Sequence, residues 1–205
     1  MRHPVQIALF AVTLLAMTGV AGCASRSPTV SFYTLNPEAA ASGPAVQVAG
    51  EPVAVVVGPA DFPRALRRSQ LATRTGPNQI EFDEFNRWAG SLESDFLGAV
   101  GANLSALLGS SRISVYPNDP VFAVNYRVSF EVQRFDADTA GTVTLHARWT
   151  LQDSSAGSVL HVAQFSDTRA TTSGDRSAIV AAHSELVAAL SRDIADQIRA
   201  SAGGS

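Results

Sequence analysis

Every second residue from Phe122 to Val132 is apolar: Phe122, Val124, Tyr126, Val128, Phe130 and Val132 alternate with Asn125, Arg127, Ser129, Glu131 and Gln133. Successive side chains of a strand point to opposite faces, so a period of two predicts a strand with one buried and one wetted face. Asp136 to Gly141 supplies a turn, and then Val143, Leu145, Ala147, Trp149 and Leu151 alternate with Thr144, His146, Arg148 and Thr150. A second turn over Asp153-Ser154-Ser155-Ala156-Gly157 leads into residues 158–168. The pattern predicts a three-stranded antiparallel meander over residues 122–168. Its apolar face must be covered by something else in the chain.

Two segments have the spacing to cover it. Between Ser91 and Leu108 the apolar residues Leu92, Phe96, Leu97, Val100, Leu104 and Leu107 recur at three- and four-residue steps, with Gly101 a mild weakness. Ile179, Val180, Leu186, Val187, Leu190, Ile194 and Ile198 mark a second, longer amphipathic helix with Asp175 as its candidate cap. Val53 to Val57 is continuously apolar and closed by Gly58-Pro59, which suits a strand buried on both faces in the middle of the sheet. Ile113 to Tyr116 predicts a short strand before the Pro117-Asn118-Asp119-Pro120 turn. The expected fold class is α+β: a mixed, largely antiparallel sheet with an antiparallel meander and two main helices packed on one face.

The first residues follow the order of a secretory signal. Arg2 precedes a run from Val5 to Met17 that is apolar apart from Gln6 and Thr13, and small residues lead to Val20-Ala21-Gly22-Cys23. About a dozen apolar residues are too few for a spanning helix, which needs roughly 20. Val20-Ala21-Gly22-Cys23 resembles a lipobox, and Cys23 is the only cysteine, so it has no disulfide partner and no zinc-binding companions. Residues 1–22 are thus expected to be a lipoprotein signal peptide, and Cys23 the lipidated, palmitate-bearing N-terminus of the mature chain. Ala24 stands where an Asp would favour inner-membrane retention, which by resemblance to lipoprotein sorting directs the chain to the outer membrane.

After the cysteine, Val30, Phe32, Tyr33 and Leu35 suit a short strand, and residues 36–50 are small and turn-prone. Residues 23–50 are therefore expected to be a short tether, and 51–202 a single globular domain. Cleavage before Cys23 removes Arg2 from the 15 basic residues, leaving 14 against 18 acidic ones and a net charge of −4. Nucleic acid is an unsuitable partner for such a chain.

No spacing of a catalytic site is present: there is no G-x-S-x-G elbow, P-loop, G-x-G-x-x-G or H-E-x-x-H. His146, His161 and His183 form no i, i+4 ligand pair, and neither a metal nor another cofactor is expected. Glu81, Asp83 and Glu84 lie close to Arg87 and read as a solvated or salt-bridged loop rather than as an acid/base pair. The segment from Gly58 to Trp88 differs from the rest in its arginine density. Arg64, Arg67, Arg68 and Arg74 fall within eleven residues, interleaved with Leu66 and Leu71 and preceded by Phe62. Two readings stand side by side: a basic patch that meets an anionic head group or an acidic partner, or arginines paired with Asp61, Glu81, Asp83 and Glu84. Trp88 likewise reads either as an interface residue or as a core residue under the first helix.

Ser31-Phe32-Tyr33-Thr34-Leu35, Val57-Gly58-Pro59, Pro63, Leu66, Arg68, Gln70-Leu71, Arg74, Asn78 and Phe85-Asn86-Arg87-Trp88-Ala89 resemble the ABC-type transport auxiliary lipoprotein family. The likeness runs over almost the whole mature chain, and its specific part is residues 52–92. Ala65 stands where the family leads one to expect an aromatic, a departure that speaks against stacking at that position. The resemblance implies an outer-membrane lipoprotein on the periplasmic face that works with a partner carrying lipid-transfer domains of the mammalian-cell-entry (MCE) type and with inner-membrane components. It also implies that copies assemble into a ring. The implied role is a non-catalytic docking component of a phospholipid transport system. Its contact candidates are Arg64, Arg67, Arg68, Gln70, Arg74, Asn78, Arg87 and Trp88. The alternative is a periplasmic carrier that encloses an acyl chain itself, which would need a cavity.

Overall fold

The computed structural model describes residues 29–40, 43–172 and 174–203. In chain order the elements are β1 (Ser31–Tyr33), β2 (Gln47–Val48), β3 (Glu51–Pro52), β4 (Val55–Asp61), a 3-10 turn at Arg64–Arg67, β5 (Gln70–Gly76), β6 (Gln79–Trp88), α1 (Leu92–Leu108), β7 (Ile113–Val115), β8 (Tyr126–Asp138), β9 (Thr142–Asp153), β10 (Val159–Ala170) and α2 (Arg176–Gly203). Eight strands form one mixed sheet, and β2 and β3 make a separate two-residue ladder. The expected α+β architecture is the observed one, with both helices on one face. No helix among the described residues is long and apolar enough to cross a membrane.

The meander β8-β9-β10 is antiparallel throughout. β8 is its spine. Its first half pairs in parallel with β4, Val55 to Tyr126 through Asp61 to Glu131, and its last residues pair in parallel with β5 at Ala137 and Asp138. β4 has β7 on its other side, also parallel, so it is central and buried as its apolar run predicts. β5 carries β6, and β6 carries β1, which makes a three-stranded wing at one edge of the sheet.

Several boundaries differ from the sequence reading. Gly58-Pro59 does not close β4. The strand continues to Asp61 across a register shift between Val57 and Ala60, where Gly58 takes φ +110 and a Cβ would lie 2.7 Å from that of Tyr116. The meander starts at Tyr126 rather than Phe122, because the Asn125 carboxamide oxygen accepts the Ala54 backbone N–H at 2.8 Å and sets where pairing begins. β8 also runs through Asp136 to Asp138, leaving Thr139 to Gly141 for the turn. The largest difference is residues 70–88, given no element by the sequence pattern beyond a loop at Glu81, Asp83 and Glu84, and forming the β5-β6 hairpin.

The helices begin and end as their sequences dictate. The Ser91 hydroxyl accepts the Ser94 N–H, with Glu93 and Asp95 in the first turn of α1, where carboxylates oppose the helix dipole. α1 ends on Gly109, left-handed at φ 60, whose N–H returns to the Ser105 carbonyl. Asp175 caps α2: its carboxylate accepts the Ser177 N–H and its carbonyl the Ile179 N–H.

Phe96, fully buried on α1, is the centre of the core and meets Phe62, Phe130 and Phe135 edge-on with ring centroids 5.4, 5.3 and 6.0 Å apart. Burial of such a ring contributes roughly 2–3 kcal/mol, and each edge-to-face contact about 0.5–1.5 kcal/mol more. Residues 35–39 lie along the helices rather than swinging free. Leu35 is buried, Asn36 N–H donates to Ser184 Oγ, and the N–H groups of Glu38 and Ala39 both donate to Asn103 Oδ1.

Candidate functional site

The wing carries most of the residues singled out from the sequence, and its register decides which of them meet. Phe32 of β1 stands opposite Arg87 of β6, and Arg87 stands opposite Gln70 of β5, so these three form a row across the wing. One residue along, Tyr33 pairs with Trp88. Trp88 is only 4% exposed and faces the helices, its ring 5.6 Å from that of His183 on α2. The two rows therefore lie on opposite faces, Trp88 in the core and the Phe32-Arg87-Gln70 row on the face that the helices leave uncovered.

The arginines divide between the two readings given to them. Arg67 pairs with Asp61 at 2.7 Å and donates from Nε to the Phe62 carbonyl. Arg87 pairs with Glu84 at 3.3 Å. Arg74 donates from Nη2 to Asp136 Oδ2 at 2.8 Å and from Nε to Oδ1 at 3.3 Å, while Arg134 donates to the same Oδ1 at 2.8 Å. Asp136 is 2% exposed, so Arg74 clamps the wing to the meander. Arg64 and Arg68 have no carboxylate partner among the described residues. Arg64 is exposed on the 3-10 turn, and the Arg68 guanidinium lies 4.6 Å from the centroid of the Phe82 ring. Asn78 is exposed in the tight turn between β5 and β6. Cys23 lies outside the described residues.

Glu81, Asp83 and Glu84 are on β6, not in a loop. Asp83 accepts the N–H groups of Phe85 and Asn86 and the Asn86 side-chain amide, and Arg176 of α2 reaches it at 3.1 Å. These partners hold its carboxyl below the usual carboxylate range against the opposing effect of burial. The turn they enforce shifts the β5-β6 register between Gln70/Arg87 and Ala72/Phe82 and leaves Phe85 45% exposed. Phe32 is 65% and Val30 37% exposed on the adjoining edge. The sequence marks Val30 and Phe32 as a short strand and Phe85 as part of the family resemblance, but no local pattern shows that the three are exposed together.

A recess of about 440 Å³ is lined by Thr73, Thr75, Glu81, Asp83, Asp138 and Arg176 among others, and the Asp83–Arg176 ion pair stands in its wall. The space beside Leu66, Trp88, Phe135 and His183 holds only about 10 Å³. His183 donates from Nδ1 to the Ile179 carbonyl at 2.8 Å, and burial lowers its pKa to about 4, so it is neutral. Among the described residues no three His, Cys, Asp or Glu side chains group as a metal site.

A sequence profile of the ABC-type transport auxiliary lipoprotein component matches residues 33–195. The chain belongs to this family. The match covers β4 to β10, α1 and most of α2, and leaves Ser31 and Phe32 of β1 outside. Two solved structures have the family fold. One is a protein of uncharacterised role, 20% identical, with TM-score 0.65 over 83% of this chain and 99% of its own. The other, from Xanthomonas campestris, is 20% identical with TM-score 0.64 over 80% of this chain and 92% of its own. A PelC dodecamer from Paraburkholderia phytofirmans, at TM-score 0.38 and 19% identity over 73% of this chain and 91% of its own, is too distant to bear on assembly. No curated protein matches the chain in sequence.

Proposed function

We propose that this auxiliary transport lipoprotein is a non-catalytic docking component, anchored through lipidated Cys23 to the periplasmic face of the outer membrane, that receives an MCE-domain partner of a phospholipid transport system. The observation that carries the reading is the filled interior. The apolar face of the sheet is taken up by Phe62, Phe96, Phe130 and Phe135, and the closed space beside His183 is about 10 Å³. An acyl-chain carrier needs an apolar cavity of several hundred Å³, whereas the recess of about 440 Å³ has the Asp83–Arg176 ion pair in its wall and that of about 390 Å³ is lined by Asp61, Glu131 and Arg148. The exposed, carboxylate-free Arg64 and Arg68 are then the groups offered to an acidic partner surface. Assembly of several copies into a ring around the partner belongs to the same proposal. The edge strand β10, with Val159, Leu160 and Val162 exposed, suits such association.

The test is photo-crosslinking in cells from positions 64 and 68, with position 121 as a control on a fully exposed loop residue. Attachment of a lipid-transfer-domain protein at 64 or 68 and not at 121 is expected. Phospholipid at one equivalent in the purified domain, with no protein attached, would replace the docking reading by the carrier.

A further inference from the structure

Val30, Phe32 and Phe85 are three large apolar side chains exposed on one edge of a sheet whose other apolar positions on the wing are buried or half-buried. Phe32 and Arg87 are register partners, and Val30 and Phe85 each stand two residues before them, just beyond the paired Ser31 and Asn86. Alternate residues of a strand share a face, so Phe32 and Arg87 lie on the face opposite to buried Trp88, away from the helices, and the exposed Val30 and Phe85 flank them in sequence. Exposure of Phe85 is enforced rather than incidental, since the Asp83 carboxylate fixes the turn that lifts it out of regular pairing.

Where this edge lies along the chain says what covers it. Six residues lie between Cys23 and Val30, and Arg26 is among them. A chain that short spans at most about 25 Å fully extended, so a lipid on Cys23 would hold this edge at the bilayer surface and no other part of the domain as closely. Apolar rings such as Phe insert at the head-group/acyl boundary of an interfacial segment, while a neighbouring guanidinium stays at head-group level. We infer that Val30, Phe32 and Phe85, with Arg87, form a membrane-contact edge that seats the domain on the phospholipid head groups in one fixed orientation. This rests on the lipid anchor at Cys23 proposed above.

The experiment uses the mature, acylated chain in vesicles of phosphatidylethanolamine and phosphatidylglycerol. With the Cys23 thiol acylated, Phe32→Cys, Phe85→Cys and Leu160→Cys each offer one free thiol for an environment-sensitive fluorophore, Leu160 being exposed on β10 at the other edge. Expected is a several-fold rise in emission with quenching by nitroxide-labelled lipid at 32 and 85, and no such quenching at 160, where association of copies through β10 would raise emission alone. Equal responses at all three positions, or none at 32 and 85 while mass spectrometry finds Cys23 acylated, would overturn the membrane edge and leave the anchor standing. A response at 32 and 85 that grows with protein concentration at fixed lipid would assign the edge to a second copy and overturn the proposal. An unmodified Cys23 would remove the anchor, and the inference with it.

Discussion

Trp88 meets His183 edge-on, ring centroids 5.6 Å apart and planes at 76°, and Phe135 closes on the same imidazole at 4.7 Å. A histidine between two aromatic rings loses its hydration, and this outweighs the Ile179 carbonyl and the Asp136 charge, which both favour the imidazolium. Its pKa in the fold is about 4, below the ordinary 6.5. The unfolded chain therefore takes up the proton first as pH falls. The stability that neutral His183 contributes is complete above about pH 6.5 and is lost as pH drops toward 4. The difference amounts to about 3 kcal/mol. Urea denaturation at pH 7 and pH 4.5 is expected to show a smaller loss for His183→Gln than for the parent chain. Equal losses would mean that His183 is charged or hydrated in the native state.

The clamp of Arg74 and Arg134 on Asp136 predicts a different signature. Asp136→Asn removes the buried charge that two guanidiniums share, and because both arginines are about a quarter exposed, the cost is set below that of a fully buried pair, at about 2–3 kcal/mol. The effect is expected to be uneven. Amide exchange in β5 and β6 should accelerate more than in β9, since Arg74 is the side chain that joins the wing to β8. Uniform acceleration would show that the wing gains no particular support from this contact.

Gly101 sits in α1 where a Cβ would stand 2.7 Å from Val115 Cγ2 of β7. Helix propensity alone favours Gly101→Ala by up to about 1 kcal/mol. The close approach of β7 reverses the sign, and a net loss of about 1–2 kcal/mol is expected. Adding Val115→Ala should recover most of it, which a double-mutant cycle by thermal or urea denaturation measures directly. A stabilised single variant would mean that α1 and β7 have room to part.

The meander and the two helices were legible because their periods of two and of three to four are clean, and β4 because it is apolar at consecutive positions. The β5-β6 hairpin was not legible. Its strands have polar residues on both faces, its register is broken by the Asp83 turn, and Thr73, Arg74 and Thr75 are half-buried without alternation. Arginine density drew the eye to the right segment but could not assign roles. The partner of Arg74 is 62 residues away on a strand whose end read as a turn, and the choice for Trp88 between interface and core rests on its facing His183. The exposed edge of Phe32 and Phe85 depends on which strand is outermost, which local pattern does not encode.

Asn103 is fully buried on α1, and its Oδ1 accepts the N–H groups of both Glu38 and Ala39 at 2.9 Å while its amide donates to Ser191 of α2. One side chain thus ties the two helices to the 35–39 segment. Glu38 is exposed, so in Asn103→Ala the freed N–H groups can turn to water instead of remaining buried. The expected loss of global stability is therefore small, about 1 kcal/mol, while cleavage of the 35–40 segment by a nonspecific protease should accelerate about tenfold or more as local opening becomes easier. Limited proteolysis followed by mass spectrometry of the fragments distinguishes this from general loosening. Cleavage rising equally in residues 139–141 would show that Asn103 supports the whole fold rather than the 35–40 segment.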